Sequence, residues 1–229
     1  MFEITVQNMG KIAWFWMIFP LFFLMQGIQT IVLATHNKDK REELQKALSE
    51  FTVEILSLND FPFIGEIEEV GLTLLENSMI KAKTVHKLTK LPSIADDTGL
   101  EVEALNGAPG IYSARYAGEN VTYEENVNKL LHDMRDIPKG KRNAKFRTVI
   151  SFVDREREFW TEGIIQGEIG KIPKGSNGFG YDPIFFVPEQ KKTFAELSIN
   201  EKNKISHRGL AMEKFRILLR EFISDQSIK

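Results

Sequence analysis

From Thr30 onward the apolar positions alternate between short continuous runs and helical spacing. Ile31–Thr35 is a compact apolar run and predicts a buried strand. Leu44, Ala47, Leu48 and Phe51 then recur at helical intervals and predict an amphipathic helix. A second helical pattern covers 72–88, with Leu75, Met79, Ala82 and His86 on its inner side. Pro92–Ala95 reads as a strand that ends at a pair of acids. Thr122 and Glu125 form a capping-box signature, and the helix it opens turns Val127, Leu130, Leu131 and Met134 inward. The period then drops to two. Segments 145–153 and 157–170 alternate on either side of an Asp-Arg-Glu-Arg turn and predict an antiparallel hairpin. A last helix begins near Ser206 and buries Ala211, Phe215, Leu218 and Phe222. The sum is a mixed α/β fold whose sheet the hairpin extends into a second lobe. A cleft between lobes is the default ligand site.

The first 29 residues break this pattern. Ile12–Met25 is an unbroken apolar run, shorter than the ~20 residues of a spanning helix and interrupted by Pro20. Lys11 precedes it, as in an export signal, but Glu3 sits in the would-be basic region and no clean cleavage site follows. We read 1–29 as an extra segment outside the working domain, 30–229, with Met25 as a natural chain start; a membrane anchor or export signal is the alternative.

Composition narrows the chemistry. The 229 residues, 42% hydrophobic and 27% charged, suit one globular domain or two joined lobes. The net charge of -2 supplies no field that would draw the chain to nucleic acid or a membrane. With no cysteine, disulfides, thiolate metal sites and cysteine nucleophiles are excluded, and a reducing cytoplasmic setting is compatible.

Four stretches carry candidate chemistry. Thr35–Lys40 lies between a strand end and a helix start, where free N–H groups bind anions. Thr35 and Asn37 add polar donors, and Lys38 and Lys40 add cations at a helix end that disfavours them unless an anion compensates. Ser206–Gly209 repeats the anomaly, with His207 and Arg208 after a good cap and Lys202 just before. Asp96 and Asp97 repel each other and need a cation, a proton or water nearby. With Glu69 they offer oxygens enough for one Mg²⁺, whereas Glu66 and Glu68 read as a solvated acidic loop. Finally, the glycines around Phe179 and Tyr181, including Gly180, let the backbone present an aromatic face, with Asp182 as an acceptor. Such a surface suits a nucleobase.

Together "ATHNKDK", "EEVGLTLLENSMIKA", "IADDTGLEVEALNGAPGIYSARYAG", "GFGYDPIFF" and "ISHRG" resemble, in order, the motifs of the inosine triphosphate pyrophosphatase (Ham1-like) family. The resemblance implies an elongated mixed sheet with flanking helices and two lobes around a central cleft, a homodimer, and Mg²⁺-dependent cleavage of ITP, dITP and XTP to monophosphate and pyrophosphate. It implies that Thr35, Asn37 and Lys40 cradle the triphosphate, with Lys38 beside them, and that Lys81 touches phosphate. Glu69 and Asp97 would form the metal site, and Asp97, supported by Asp96, would activate water. Phe179, Tyr181, Asp182, Lys202, His207 and Arg208 would form the base pocket, His207 and Arg208 donating to the purine 6-oxygen. Thr98 stands where many relatives carry serine and keeps the hydroxyl. The rival readings are a pyrophosphatase for modified pyrimidine triphosphates and a nucleotide-binding regulator without catalysis; the acid pair argues against the latter.

Overall fold

The computed structural model describes residues 30–226. The apolar N-terminal run and the expectations placed on it lie outside them. The strands are β1 (Thr30–Leu33), β2 (Glu54–Ser57), β3 (Ser93–Val102), β4 (Pro109–Gly110), β5 (Asn143–Val153), β6 (Glu158–Ile169), β7 (Phe185–Val187) and β8 (Lys192–Thr193). The helices are α1 (Lys38–Leu48), α2 (Leu74–Thr89), α3 (Tyr123–Asp133), α4 (Ile199–Ile205) and α5 (His207–Gln226).

The strands form one mixed sheet in the order β2-β1-β3-β5-β6-β7-β8, with β4 added beside β3. β1 runs parallel to β2 and β3; every later pairing is antiparallel. The hairpin is as the alternating pattern predicts, with Asn143–Val153 matched against Glu158–Glu168 in continuous register.

β3 joins the two halves. At its start Ser93 and Ile94 pair with β1; near its end Leu100 and Glu101 pair with β4. Between them, Ala95–Gly99 has a strand neighbour only on the β5 side. The acid pair therefore lies inside a long strand and beside a gap in the sheet. The expectation that the strand stops at Ala95 fails because two charges interrupt its apolar pattern.

Three buried clusters surround this gap. One packs α1 and α5 on the sheet through Leu44, Leu48, Ile94, Phe152, Phe215 and Phe222. A second packs α2 against it through Val32, Ala82, Val85 and Ala95. The third fills the far lobe around Leu100, Leu130, Phe146, Phe185 and Phe194.

Two helix faces differ from expectation. α2 turns Leu74, Asn77, Ser78, Lys81, Ala82 and Val85 inward, so that of the expected stripe Ala82 is fully buried while Leu75, Met79 and His86 are half-buried. The reason is polar: Ser78 donates to the Ala95 carbonyl (3.1 Å) and meets the Ser151 hydroxyl at 2.7 Å, while Lys81 reaches the acids. On α5, Leu219 is fully buried where Leu218 is expected. Thr122 and Glu125 do form the capping box of α3, and Ser206 caps α5 by accepting from Gly209 N.

α5 lies unusually close to β6. Thr161 donates to the Ala211 carbonyl at 2.8 Å, and a Cβ on Gly163 would run into the His207 carbonyl and the Ala211 amide. This glycine sets the depth at which His207 and Arg208 enter the cleft. Gly163→Ala is expected to lower the urea midpoint by the equivalent of about 1–3 kcal/mol, the scale of overpacking. Gly65→Ala, where an added Cβ meets nothing within 4 Å, serves as the neutral control.

Candidate active site

A strand's side chains alternate between the two faces of its sheet, so Asp96 and Asp97 diverge. Asp96 faces α1 and α5. Its Oδ2 accepts from Arg208 Nε (3.2 Å) and Nη2 (3.1 Å) and from Thr98 Oγ1 (3.3 Å), and lies 3.3 Å from Lys40 Nζ. Burial alone would raise this carboxyl, but Lys40 and Arg208 outweigh it and hold Asp96 far below the usual carboxylate range. Burial in turn pulls the Lys40 ammonium down, against the attraction of Asp96.

Asp97 faces α2. Its Oδ1 accepts from Lys81 Nζ at 3.2 Å, while its Oδ2 is buried without a hydrogen-bond partner. Burial pushes this carboxyl up, and Lys81 offsets the shift only in part. Lys81 also donates to Glu69 Oε1 at 2.8 Å. Burial would lower its ammonium, but Asp97 and Glu69 together raise it. Arg115 reaches Glu69 from the rim at 3.4 Å. Two neighbouring acids thus carry opposite shifts because each has its own surroundings.

The far end of the cleft is aromatic. Lys202 Nζ donates to Asp182 Oδ2 at 2.6 Å and sits 5.0 Å from the Phe179 ring centre. The same Asp182 oxygen accepts from Phe179 N at 2.9 Å. Gly178, with φ of +74°, makes the turn possible: a side chain there would meet the Asp182 carboxylate. Tyr181 packs its ring in the far core and donates its hydroxyl to the Ser113 carbonyl at 2.9 Å. His207 stacks on Phe146 at 4.4 Å and leaves Nδ1 unpartnered. Burial, reinforced by Arg208 and Lys202, holds its pKa well below the ordinary value, so the ring is neutral at pH 7.

One cleft is lined by Asn37, Lys40, Glu69, Asp97, Thr98, Phe179, Gly180, Tyr181, Asp182, Lys202, His207 and Arg208. Asp96 and Lys81 stand behind this lining, in contact with it. Thr35 supports the loop by accepting from Asn37 N at 3.1 Å, and Asn37 caps α1 by accepting from Lys40 N at 3.0 Å. Lys38 is not brought in. Its side chain is exposed and pairs with Glu42 at 3.8 Å on the outer face of α1.

Sequence reasoning missed Glu43. Its carboxylate takes Arg208 Nη1 at 2.5 Å and lies 3.5 Å from Lys202 Nζ, so it ties both cations to α1. A signal existed: Glu43 is three residues beyond Lys40 and beside the buried Leu44, on the inner face. Tyr123, Arg115, Ser113 and Phe146 were also missed; Ser113 and Arg115 lie within the stretch 94–118, where the acid pair is the stronger signal, and Tyr123 and Phe146 carry no local sign of a site.

A sequence model of the Ham1 family matches residues 31–218. The chain belongs to the Ham1 family. This Ham1 chain is 50% identical over 186 residues to a protein of Thermoanaerobacter pseudethanolicus named dITP/XTP pyrophosphatase, covering 81% of this chain and 94% of that one. It is 47% identical over 189 residues to the Escherichia coli protein of the same name, covering 81% and 95%. Among solved structures, a Ham1 protein from Coxiella burnetii superposes with a TM-score of 0.78 at 42% identity, covering 85% of this chain and all of that one. The Staphylococcus aureus Ham1 protein gives 0.76 at 39%, covering 84% and 99%.

The opposite shifts predict opposite costs. Asp96→Asn leaves buried Arg208 and Lys40 short of a charge and is expected to destabilise by about 3–5 kcal/mol. Asp97→Asn removes a carboxylate that burial already disfavours and should shift the denaturation midpoint far less. The pH dependence follows the depressed Asp96: its stabilisation is present above the unfolded carboxylate value of about 3.9 and is lost as pH falls below it. Chemical denaturation of both variants from pH 3 to 7 checks this, with the acid-side loss reduced only in Asp96→Asn.

Proposed function

We propose that this chain is a hydrolase that cleaves non-canonical purine nucleoside triphosphates, dITP, ITP and XTP, to the monophosphate and pyrophosphate, clearing them from the nucleotide pool. The observation that carries the reading is the unpartnered buried Oδ2 of Asp97, set between a cationic cradle and an aromatic shelf. The names of the curated relatives agree with it.

In this reading the N-terminus of α1, with Asn37 and Lys40, receives the triphosphate, and Lys81 balances its charge. Glu69 and Asp97 would hold Mg²⁺. The donor set fits: two carboxylates converge on one lysine, and Asp97 keeps a free oxygen. Mg²⁺ characteristically takes one or two carboxylates and completes its shell with phosphate and water. When bound, it would neutralise phosphate charge and help align the reacting groups. Asp97 accepts the proton of the attacking water as oxygen bonds to the α-phosphorus; the α–β bridge breaks and pyrophosphate leaves with the bonding pair.

Selection of the base falls first to His207. Its neutral ring carries one N–H that can donate to a purine 6-oxygen, and it meets the amino group of adenine unfavourably. Arg208 spends most of its N–H groups on Asp96, Thr98 and Glu43, so its help to the base is secondary. We place the working domain at 30–229, leave 1–29 outside it, and expect a cytoplasmic homodimer; the match of the family model to 31–218 supports the domain limits. No helix among the described residues is long and apolar enough to cross a membrane.

Pyrophosphate release from dITP, XTP, dATP, dGTP and dUTP, with and without Mg²⁺, tests the assignment; dITP and XTP should lead and require the metal. Asp97→Asn should keep substrate binding and lower turnover by about 10²-fold or more. Because only the ionised carboxylate accepts a proton, the wild-type rate should fall on the acid side. Near-normal turnover in Asp97→Asn at saturating Mg²⁺ would rule out this role.

A further inference from the structure

Tyr123, the first residue of α3, crosses the mouth of the cleft. Its hydroxyl accepts from Asn37 Nδ2 and donates to Asp39 Oδ2, both at 3.0 Å. Its ring lies 5.8 Å from the Phe179 ring, tilted by 38°. The residue therefore touches both ends of the site at once, the amide at the phosphate end and the ring at the base end.

Both contacts compete with a nucleotide. A base held between two rings needs their centres roughly 7 Å apart, two carbon contacts of about 3.5 Å. The observed 5.8 Å is too short for that. Phe179 is otherwise approached by Lys202 at 5.0 Å and Arg208 at 5.6 Å. A base stacking on Phe179 must move one of these three neighbours. Lys202 and Arg208 are buried and held by ion pairs to Asp182, Glu43 and Asp96, which are costly to break. Tyr123 is 42% exposed and is held by two hydrogen bonds at the rim. Tyr123 is the group that yields. At the phosphate end Asn37 Oδ1 is fixed by its cap to Lys40 N, so its amide nitrogen is the part that can turn to a ligand, and that nitrogen donates to Tyr123.

We propose that Tyr123 sets nucleotide affinity and selectivity in this chain by occupying both subsites in the free protein. Its ring stands in for the base on Phe179 and its hydroxyl for a phosphate oxygen on Asn37. A complete nucleotide displaces both together and gains at both ends. A free polyphosphate breaks the hydroxyl tie without gaining a stacking surface, so it binds poorly. The inference rests on the nucleotide reading given above.

Calorimetric titration of the full chain with dIMP and with inorganic tripolyphosphate tests it, in the wild type, Tyr123→Phe and Tyr123→Ala. Tyr123→Phe, which keeps the ring, should bind tripolyphosphate about 3–10-fold tighter. Tyr123→Ala should bind both ligands tighter, by a similar factor for dIMP, and KM for dITP should fall with it. A purely structural role would weaken both ligands instead. Weaker dIMP binding in Tyr123→Ala would make the ring a wall of the pocket and overturn the proposal, as would unchanged affinity for both ligands. If the wild type binds tripolyphosphate but neither dIMP nor dITP, the nucleotide reading fails, while tighter tripolyphosphate binding in Tyr123→Phe still supports the hydroxyl competition. Failure of every variant to bind either ligand overturns both.

Discussion

The two-residue period of β3 sends Asp96 and Asp97 to opposite faces of the sheet, and the rest of the site follows from that separation. Side by side in sequence, the two carboxylates would repel. On a strand they do not share a neighbourhood. Asp96 meets Arg208 and Lys40 beneath α1 and α5; Asp97 meets Lys81 beneath α2. One acid becomes an anchor with both its cations satisfied. Each keeps one buried oxygen without a hydrogen-bond partner, but only Asp97 lines the cleft, where burial raises its carboxyl and Lys81 compensates in part. Perturbation of this kind, by burial and a specific charge partner within a cleft, clusters at functional sites.

The anchor explains the cation-loaded helix starts. Lys40 near the N-terminus of α1 and Arg208 near that of α5 oppose their helix dipoles. Asp96, from the strand below, is the counter-charge to both. Glu43 then links Arg208 to Lys202 and Lys202 to Asp182, so that charges from α1, α4, α5 and the aromatic turn form one chain of ion pairs. The cations are thus held in place before any ligand arrives, which reduces the ordering needed when a polyanion binds.

Local devices were legible in the sequence, and long-range ones were not. The capping box of α3, the Ser206 cap and the hairpin are set by residues a few positions apart, and each is where pattern and spacing put it. Most members of the candidate site were legible too, as chemistry-bearing residues in short stretches. The length of β3 was not, because two charges inside a strand look like its end. The charge that tolerates Asp96 there lies 112 residues away, on Arg208. The inner face of α2 was legible only in part for the same reason: Ala82 is buried as expected, but Ser78 and Lys81 point inward toward partners on β3 and β5 that no hydrophobic period can announce. Glu43 and Tyr123 depend likewise on which helices the fold brings together.

β3 also decides how the site can be lost. Its residues belong to all three buried clusters, Ile94 to one, Ala95 to another, Leu100 and Val102 to the third. A segment shared by every core has no route to open by itself, since freeing its amides means dissolving the packing on both faces. Asp97 therefore rides on a segment that cannot separate from β5 without disturbing the packing on both faces of the sheet. The rim where α3 begins lies at the other extreme, with Tyr123 half-exposed to solvent. The acid pair is carried by an element shared by all three cores, and the mouth of the cleft by a half-exposed residue at the rim.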